Sequence, residues 1–508
     1  MIRMFYTISA LTFLTTALVS YFLWTPFLAT LIFTLPVFIV GVIDTLQKSK
    51  GVRRNFPVLG NLRYFFELIR PELQQYFVES NQSGRPIPRE LRSVVYQRSK
   101  GQMQTVPFGS QLDMDKPGHE WVAHSMNPVH VSLDAMRVTF GEGPRAYSAS
   151  ILNVSAMSYG SLSGAAIKAL NLGAAKGGFY HNTGEGGLSR FHLSGGDVVW
   201  QIGTGYFGCR NEDGTFSRDK FVERVKNPRI KMVEIKLSQG AKPGKGGLLP
   251  GAKVTPLIAE ARGVPVGKEC LSPASHSAFN GPKEFVLFLK EVKQLAEGRP
   301  IGFKLCVGKK SEFVDICKAM IEVGFFPDFI TVDGSEGGTG AAPLEFTNYI
   351  GLPLFEGLAF VHDTLVQHGL RKKVKVIASS KVFTGFDILT RLAMGADAVN
   401  SARGMMLALG CIQALKCHTN HCPVGVTTHN PQLERGLYVP DKAERVARFH
   451  AETVHAFADM LGALGYTSPS QLRRSDVFRR TQDGSVKTYE EIYPPAKASA
   501  AQANVSAV

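Results

Sequence analysis

Hydrophobic and polar positions divide the chain into distinct textures. From Met4 to Ile43 no residue is charged. A helix crosses the hydrocarbon core of a bilayer in about 20 residues, so an uncharged stretch twice that long predicts two short spans. Trp24-Thr25-Pro26 interrupts the stretch near its middle, and proline breaks or opens a helix. The pattern predicts spans at Phe5–Leu23 and Phe27–Ile43, joined by a tight turn. A cleaved signal peptide is the competing reading, but the apolar stretch is long for one and no small-residue cleavage site stands out.

The texture turns basic and amphipathic at once. Lys48, Lys50, Arg53 and Arg54 follow the second span. Basic residues beside a span favour the cytoplasmic side. A two-span hairpin then leaves both ends in the cytoplasm, and the expected location is the inner (cytoplasmic) membrane with the remainder facing the cytoplasm. Residues 60–100, including NLRYFFELIRPELQQYF, read as amphipathic helix. Arg85, Arg89, Arg92, Arg98 and Lys100 either rest on anionic headgroups or belong to a solvated linker.

After about residue 105 short apolar runs alternate with helical stretches, and the loops after the runs are rich in glycine. ILNVSAMS (Ile151–Ser158), MVEIKLS (Met232–Ser238), IGFKLC (Ile301–Cys306), DFITVDG (Asp328–Gly334), VKVIASS (Val374–Ser380) and ADAVNSARG (Ala396–Gly404) are the clearest strands. Repeated strand-then-helix units predict a parallel sheet. Their number and spacing suit an α/β fold of the (β/α)8 barrel type, whose chemistry sits on the loops after the strands. The expected organisation is a transmembrane helical hairpin at 1–45, a basic juxtamembrane helical linker at 46–104, the barrel at 105–484 and a small, polar, disordered tail at 485–508.

Composition narrows the picture. A chain of 508 residues exceeds one ordinary core. A formal charge of +15 points to nucleic acid, anionic lipid or acidic small substrates. No nucleic-acid motif is present, so lipid and acidic substrates remain. Seven cysteines, an odd number in a long chain, do not make a disulfide framework.

Two glycine motifs mislead. GTGYFG (Gly203–Gly208) has the dinucleotide spacing, but the turn-like CRNEDGTFSRD follows it instead of a helix. GAKPGKGG (Gly240–Gly247) resembles a P-loop but is one residue short and ends without the Ser or Thr that would hold magnesium. Its lysines still suit an anionic ligand. In many barrels the loops after strands seven and eight hold a phosphate. Here these are SSKVFTG (Ser379–Gly385) and SARG (Ser401–Gly404), offering Ser380, Lys381, Arg403 and the Gly404 amide.

Cys411, Cys417 and Cys422 follow one another as C-x5-C-x4-C, with Pro423 after the last. Close cysteine triplets bind soft metals. Zinc would need a fourth ligand, which His418 or His421 could supply. Three thiolates followed by proline suit an iron–sulfur loop, and a three-iron cluster needs only three protein ligands. Both readings stand on the residues alone.

SAMSYGSLS, HNTGEGG, QGAKPGKGGLLPGAKV, DGSEGGTGAAP and GCIQALKCHTNHCPVGV, in this order, resemble the flavin-binding synthase domain of glutamate synthases, from about residue 140 to about 475. The N-terminal hairpin lies outside the resemblance. It implies a (β/α)8 barrel holding FMN and a 3Fe-4S cluster, the cluster on Cys411, Cys417 and Cys422, and an oxidoreductase of the class acting on CH–NH2 donors. It implies that electrons enter through the cluster, reduce FMN and form glutamate from 2-oxoglutarate and ammonia. Glu185 and Lys242 match catalytic residues, and Lys242 with Arg262 matches the cations that hold the substrate carboxylates. Met157, Ser158, Asn182 and Thr183 would line the flavin, Lys304 would lie at its electron-rich end, and Gly337, Gly338 and Thr339 would form the strand-six loop. The resemblance leaves the electron donor open, with a ferredoxin or a reductase subunit as candidates.

Departures from the family pattern cluster at the substrate and phosphate ends: Leu248 for a glutamine, Lys245 for a glutamate, Tyr206 for an arginine, and SSK in the strand-seven loop. A glutaminase domain is absent from these residues, so the nitrogen would come from free ammonia, a separate subunit or another amine. Two other readings remain: the same fold acting on a different acidic substrate, and a non-catalytic membrane redox module.

Overall fold

The structure is a computed structural model that describes residues 1–102, 105–249, 251 and 254–495. The chain forms two compact units, residues 1–89 and the remainder from Glu90. The basic segment after the apolar helices thus belongs largely with them, and the boundary falls inside the expected linker.

In the first unit Ile2–Phe22 and Leu31–Leu46 are helices, separated by a 3-10 turn over Thr25–Thr30 that carries Pro26. The Thr25–Leu46 stretch and Ile2–Phe22 are each long and apolar enough to cross a membrane. Asp44 ends the apolar run, and its buried carboxylate accepts from the Val58 amide at 3.0 Å and from Asn61 Nδ2. This bond ties helix Leu31–Leu46 to the start of helix Gly60–Leu73. Lys50 and Arg53 lie over the Tyr64 ring, at 4.7 and 4.6 Å from its centre.

The second unit is built on a closed barrel of eight parallel strands: β1 (Leu152–Val154), β2 (Tyr180–Asn182), β3 (Asp197–Ile202), β4 (Ile230–Lys236), β5 (Ile301–Leu305), β6 (Phe329–Asp333), β7 (Lys375–Ser379) and β8 (Ala398–Ser401). The strands neighbour one another in chain order, and β8 closes on β1 with Val399 opposite Leu152. Right-handed crossovers explain the order, since each returns the chain beside the strand it left. The helix after β1 is typical: Ser163 Oγ accepts from the Ala166 amide at its start, and Gly178 ends it in the left-handed region.

An antiparallel hairpin, Arg137–Phe140 with Tyr147–Ser150, precedes β1 and closes the N-terminal end of the barrel. Phe140 and Ala149 pack there with Tyr180, Val199, Met232, Phe329, Ile377 and Ala398. The Phe140 and Phe329 rings meet edge to face at 5.6 Å. With one end plugged by apolar side chains, the opposite end is left for chemistry.

Two expectations are corrected. Arg92 and Arg98 do not lie on a headgroup surface: both are buried in helix Arg89–Lys100, where Arg98 Nη1 donates to Thr453 Oγ1 at 3.2 Å. The apolar face of that helix docks on protein and takes these arginines with it. The chain also stays ordered past residue 485. Val486–Thr488 pairs with Val477–Arg480, which pairs with Glu120–Val122, and helix Tyr489–Ile492 follows. The rest of the expected tail, from 496, lies outside the described residues.

Phe329→Ala would empty the centre of the barrel plug. Loss of a buried aromatic ring costs about 3–5 kcal/mol. A chemical denaturation midpoint lowered by that amount, read on the detergent-purified protein, is the expected result.

Candidate functional site

The open end of the barrel is organised by buried charges. Glu234, on β4, is almost fully buried inside the barrel. It accepts from Asn182 Nδ2 at 2.8 Å, Gln201 Nε2 at 2.6 Å and the Thr331 hydroxyl, so one carboxylate ties four strands together. At the ends of β5 and β6, Lys304 Nζ lies 3.2 Å from Asp333 Oδ2. Burial opposes the Lys304 charge, but Asp333, Glu234 and Glu185 outweigh it and hold its pKa above the ordinary value.

Glu185 sits on the loop after β2 and pairs with Lys236, the last residue of β4, at 2.7 Å. Lys236 Nζ also donates to Gln239 Oε1 at 2.7 Å. A Cβ on Gly203 would lie 2.6 Å from Glu185 Oε2, so the loop after β3 must be bare there for the carboxylate to fit. Burial alone would raise the Glu185 carboxyl; Lys236, Lys242 and Arg262 together hold it below the ordinary range. Burial lowers the Lys236 ammonium despite Glu185, with Lys304 and Lys242 repelling it. Glu185 is therefore ionised near neutral pH and suited to hold a cationic nitrogen or accept a proton.

These side chains open into a cleft lined by Glu185, Thr204, Lys236, Ser238, Gln239, Lys242, Lys245 and Ser272. Lys242 Nζ points at the Gly246 carbonyl at 3.4 Å, and Lys245 Nζ lies 5.2 Å from the centre of the Phe346 ring. Arg262, at the end of helix Pro256–Arg262, lies over Phe207 at 4.8 Å, and its buried Nε has no hydrogen-bond partner among the described residues. Three cations, Lys236, Lys242 and Arg262, thus act on one carboxylate, and Lys245 adds a fourth to the cleft. The arrangement suits an anionic substrate, since paired carboxylates need fixed donors.

Of the other expected residues, Met157 is buried and Ser158 Oγ bonds Ser161 Oγ at 2.9 Å. Asn182 and Thr183 are committed to the barrel wall: Asn182 serves Glu234 and the Gly184 amide, and Thr183 Oγ1 accepts from the Gln201 amide at 3.0 Å. Gly337, Gly338 and Thr339 lie on the loop after β6. Ser380 and Lys381 lie on the loop after β7, where Gly404 meets them: a Cβ there would lie 2.8 Å from the Val382 carbonyl. Ser380 Oγ is buried without a hydrogen-bond partner among the described residues, and Lys381 takes φ +44°. An unsatisfied hydroxyl on a tight turn is what a phosphate would complete. Arg403 turns elsewhere, onto Gly338. The backbone of Leu248 runs in strand Gly247–Leu249, and its side chain lies outside the described residues.

The three cysteines share one loop, which starts where Gly410 caps helix Arg403–Leu409 and takes left-handed backbone at Gln413, Leu415 and Asn420. Burial pushes the Cys411 thiol up to about 11, with the Gln413 amide donating to its sulfur and Cys417 and Cys422 close enough to repel it. Burial also opposes ionisation of Cys422, but donors from Thr427, Val424 and Val426 bring its thiol below the ordinary value. Cys417 is exposed. Among the described residues no group of three His, Cys, Asp or Glu side chains is gathered closely enough to hold a single metal ion. The donor set is three sulfurs on one loop, with amides aimed at those of Cys411 and Cys422, which fits thiolate ligation of a cluster. Lys236, Gln239 and Asp333 were not singled out from sequence, although MVEIKLSQG ends a barrel strand, where functional residues concentrate.

Residues 140–467 match the family described as the conserved region in glutamate synthase. The glutamate synthase large subunit-like protein YerD of Bacillus subtilis (strain 168) is 37% identical, over 90% of this chain and 97% of that protein. The archaeal glutamate synthase (NADPH) of Methanocaldococcus jannaschii is 33% identical over 62% of this chain. This chain covers 59% of the length of that relative, and 21% of the glutamate synthase (NADPH) large chain of Bacillus subtilis. Among solved structures, a mandelate oxidase variant with 2-hydroxy-phenylacetamide aligns at a TM-score of 0.42 and 15% identity, over 78% of this chain and 89% of that one.

Glu185→Gln tests the charge pairing at this site. A carboxyl with a depressed folded-state pKa contributes stability above its unfolded value, and that contribution is lost as pH falls through the folded one. The variant should be less stable than the parent at pH 7, and the gap should close below about pH 4.5. Denaturation midpoints measured from pH 7 down to pH 3 check this.

Proposed function

This chain belongs to the glutamate synthase family of oxidoreductases, and we propose that it forms an amino acid, most simply L-glutamate, by reductive amination of a 2-oxo acid with ammonia or another amine. The observation that carries the reading is the meeting of Glu185, Lys236 and Lys242 in one cleft at the open end of the barrel. Lys242 and Arg262 hold the two carboxylates of 2-oxoglutarate. Glu185, kept ionised by its cationic neighbours, stabilises the positive charge of the protonated imine nitrogen. Lys236 fixes Glu185 in place and excludes water from its buried side. Lys304, with Asp333 behind it, offers a permanent positive charge at the end of β5.

FMN fits the loops after β7 and β8, and a 3Fe-4S cluster fits Cys411, Cys417 and Cys422. When bound, the flavin would supply the hydride for the imine carbon and the cluster the electrons that renew it. The donor of those electrons is a ferredoxin or a reductase subunit. The two N-terminal helices anchor the enzyme in the cytoplasmic membrane. A second reading, a different acidic substrate on the same fold, is favoured by Lys245, which adds a cation to the cleft.

Lys242→Ala and Arg262→Ala should each raise KM for 2-oxoglutarate by about 10- to 100-fold, because a charge-assisted bond is worth roughly 1.5–3 kcal/mol. Initial rates with a chemical reductant measure this. An unchanged KM for 2-oxoglutarate, with a rise for an acid of greater charge, would favour the second reading. Membrane fractionation provides another measurement: the full chain should stay in the pellet after high-salt and alkaline washes, and release by salt alone would rule out the anchor.

A further inference from the structure

Arg403 begins the short helix after β8 and presses its guanidinium against the loop after β6. A Cβ on Gly338 would lie 1.5 Å from Nη2, so only glycine admits the side chain. Two residues on, a Cβ on Gly340 would lie 2.9 Å from the Cβ of Cys417. Arg403 and Cys417 therefore bear on the same three residues of one loop. The acidic groups acting on Arg403 are the Cys411 and Cys417 thiols and the Asp333 carboxylate. Asp333 already serves Lys304 at 3.2 Å and the Gly240 amide at 2.9 Å. Of the three, the Cys417 and Cys411 thiols act on Arg403 more strongly than Asp333 does. On the other side, the β8-end residues that touch the loop after β7 are Ser401, whose Oγ donates to the Val382 carbonyl at 2.6 Å, and Gly404.

We propose that Arg403 is a positioning residue of the three-cysteine site, supplying the positive charge that offsets a cluster's thiolates and sulfides and favours its reduced state. This inference rests on the reading of Cys411, Cys417 and Cys422 as cluster ligands. It replaces the phosphate role expected for Arg403 from its place at a strand end. Reduction adds negative charge, and nearby net charge and solvent exposure set cluster potentials. A half-buried cation is screened less than one in water, so its removal disfavours reduction.

The test compares the full-length wild type with Arg403→Gln and Gly338→Ala, purified in detergent without air. Iron, sulfide and FMN are counted per chain, and cluster reduction is titrated by paramagnetic resonance. In Arg403→Gln the reduced-to-oxidised ratio at a fixed poise should fall about tenfold, with FMN content unchanged. Gly338→Ala keeps the charge but drives the guanidinium out, and should give a smaller fall; it carries the test if Arg403→Gln does not fold. An iron-loaded variant that titrates like the wild type overturns the proposal. So does an Arg403→Gln protein that loses FMN but still takes up riboflavin, which would return Arg403 to the phosphate. Wild-type protein without iron would overturn the cluster reading itself, and this inference with it.

Discussion

The open end of the barrel depends on a carboxylate kept where water does not reach. Glu234 is nearly fully buried, and a charge in such surroundings is tolerated only when its lone pairs are satisfied and a counter-charge is near. Asn182, Gln201 and Thr331 satisfy the first requirement, and Lys304 helps meet the second. Because those partners come from β2, β3, β5 and β6, the carboxylate holds the strand ends in register. Charges then alternate outward through Lys304 to Asp333, with the pair of Lys236 and Glu185 alongside. Removing one member would leave its neighbour buried and unpaired, which costs more than the pair contributes.

Close loop packing makes the second half of the site. The bare backbone of Gly203 makes space for the Glu185 carboxylate, as Gly338 does for the Arg403 guanidinium. Charged groups here reach one another because side chains between them are missing. A glycine-rich loop in this fold is thus not a flexible linker but a surface against which a charge is seated.

The barrel was legible because the strand-and-helix alternation is strong and the glycines fall after strands. Strands β2 and β3 escaped individual reading: Tyr180–Asn182 has three residues, and Asp197–Ile202 follows two glycines with no helix between it and the preceding turn. The missed site residues share one cause. In MVEIKLS, Glu234 and Lys236 occupy alternate positions and look like the solvent face of a half-buried strand. In a closed barrel that face points inward, so the apparent surface charges are the buried ones. Arg92 and Arg98 misled for the same reason: a charged residue on a helix says nothing of what the helix docks against. The three cysteines and Glu185 were legible through motifs, whereas the direction of Arg403 depends on a contact across the barrel that no local pattern encodes.

Tyr206 shows how a departure from the family pattern can be structural. It is fully buried with φ +47°, so its ring cannot reach the cleft. Its hydroxyl accepts from the Ala278 amide at 3.0 Å and lies 3.0 Å from His276 Nδ1. Burial pushes the His276 pKa down to about 4, so the ring is neutral near pH 7, with one nitrogen donating and the other accepting. Nε2 lies 3.0 Å from the Lys236 carbonyl, which makes it the donor and leaves Nδ1 to accept from Tyr206. Tyr206 thereby braces, through His276, the backbone of the lysine that holds Glu185. The substitution alters the support of the Lys236–Glu185 pair while leaving the cations of the cleft in place, so the charges of the cleft and the packing of its scaffold vary independently.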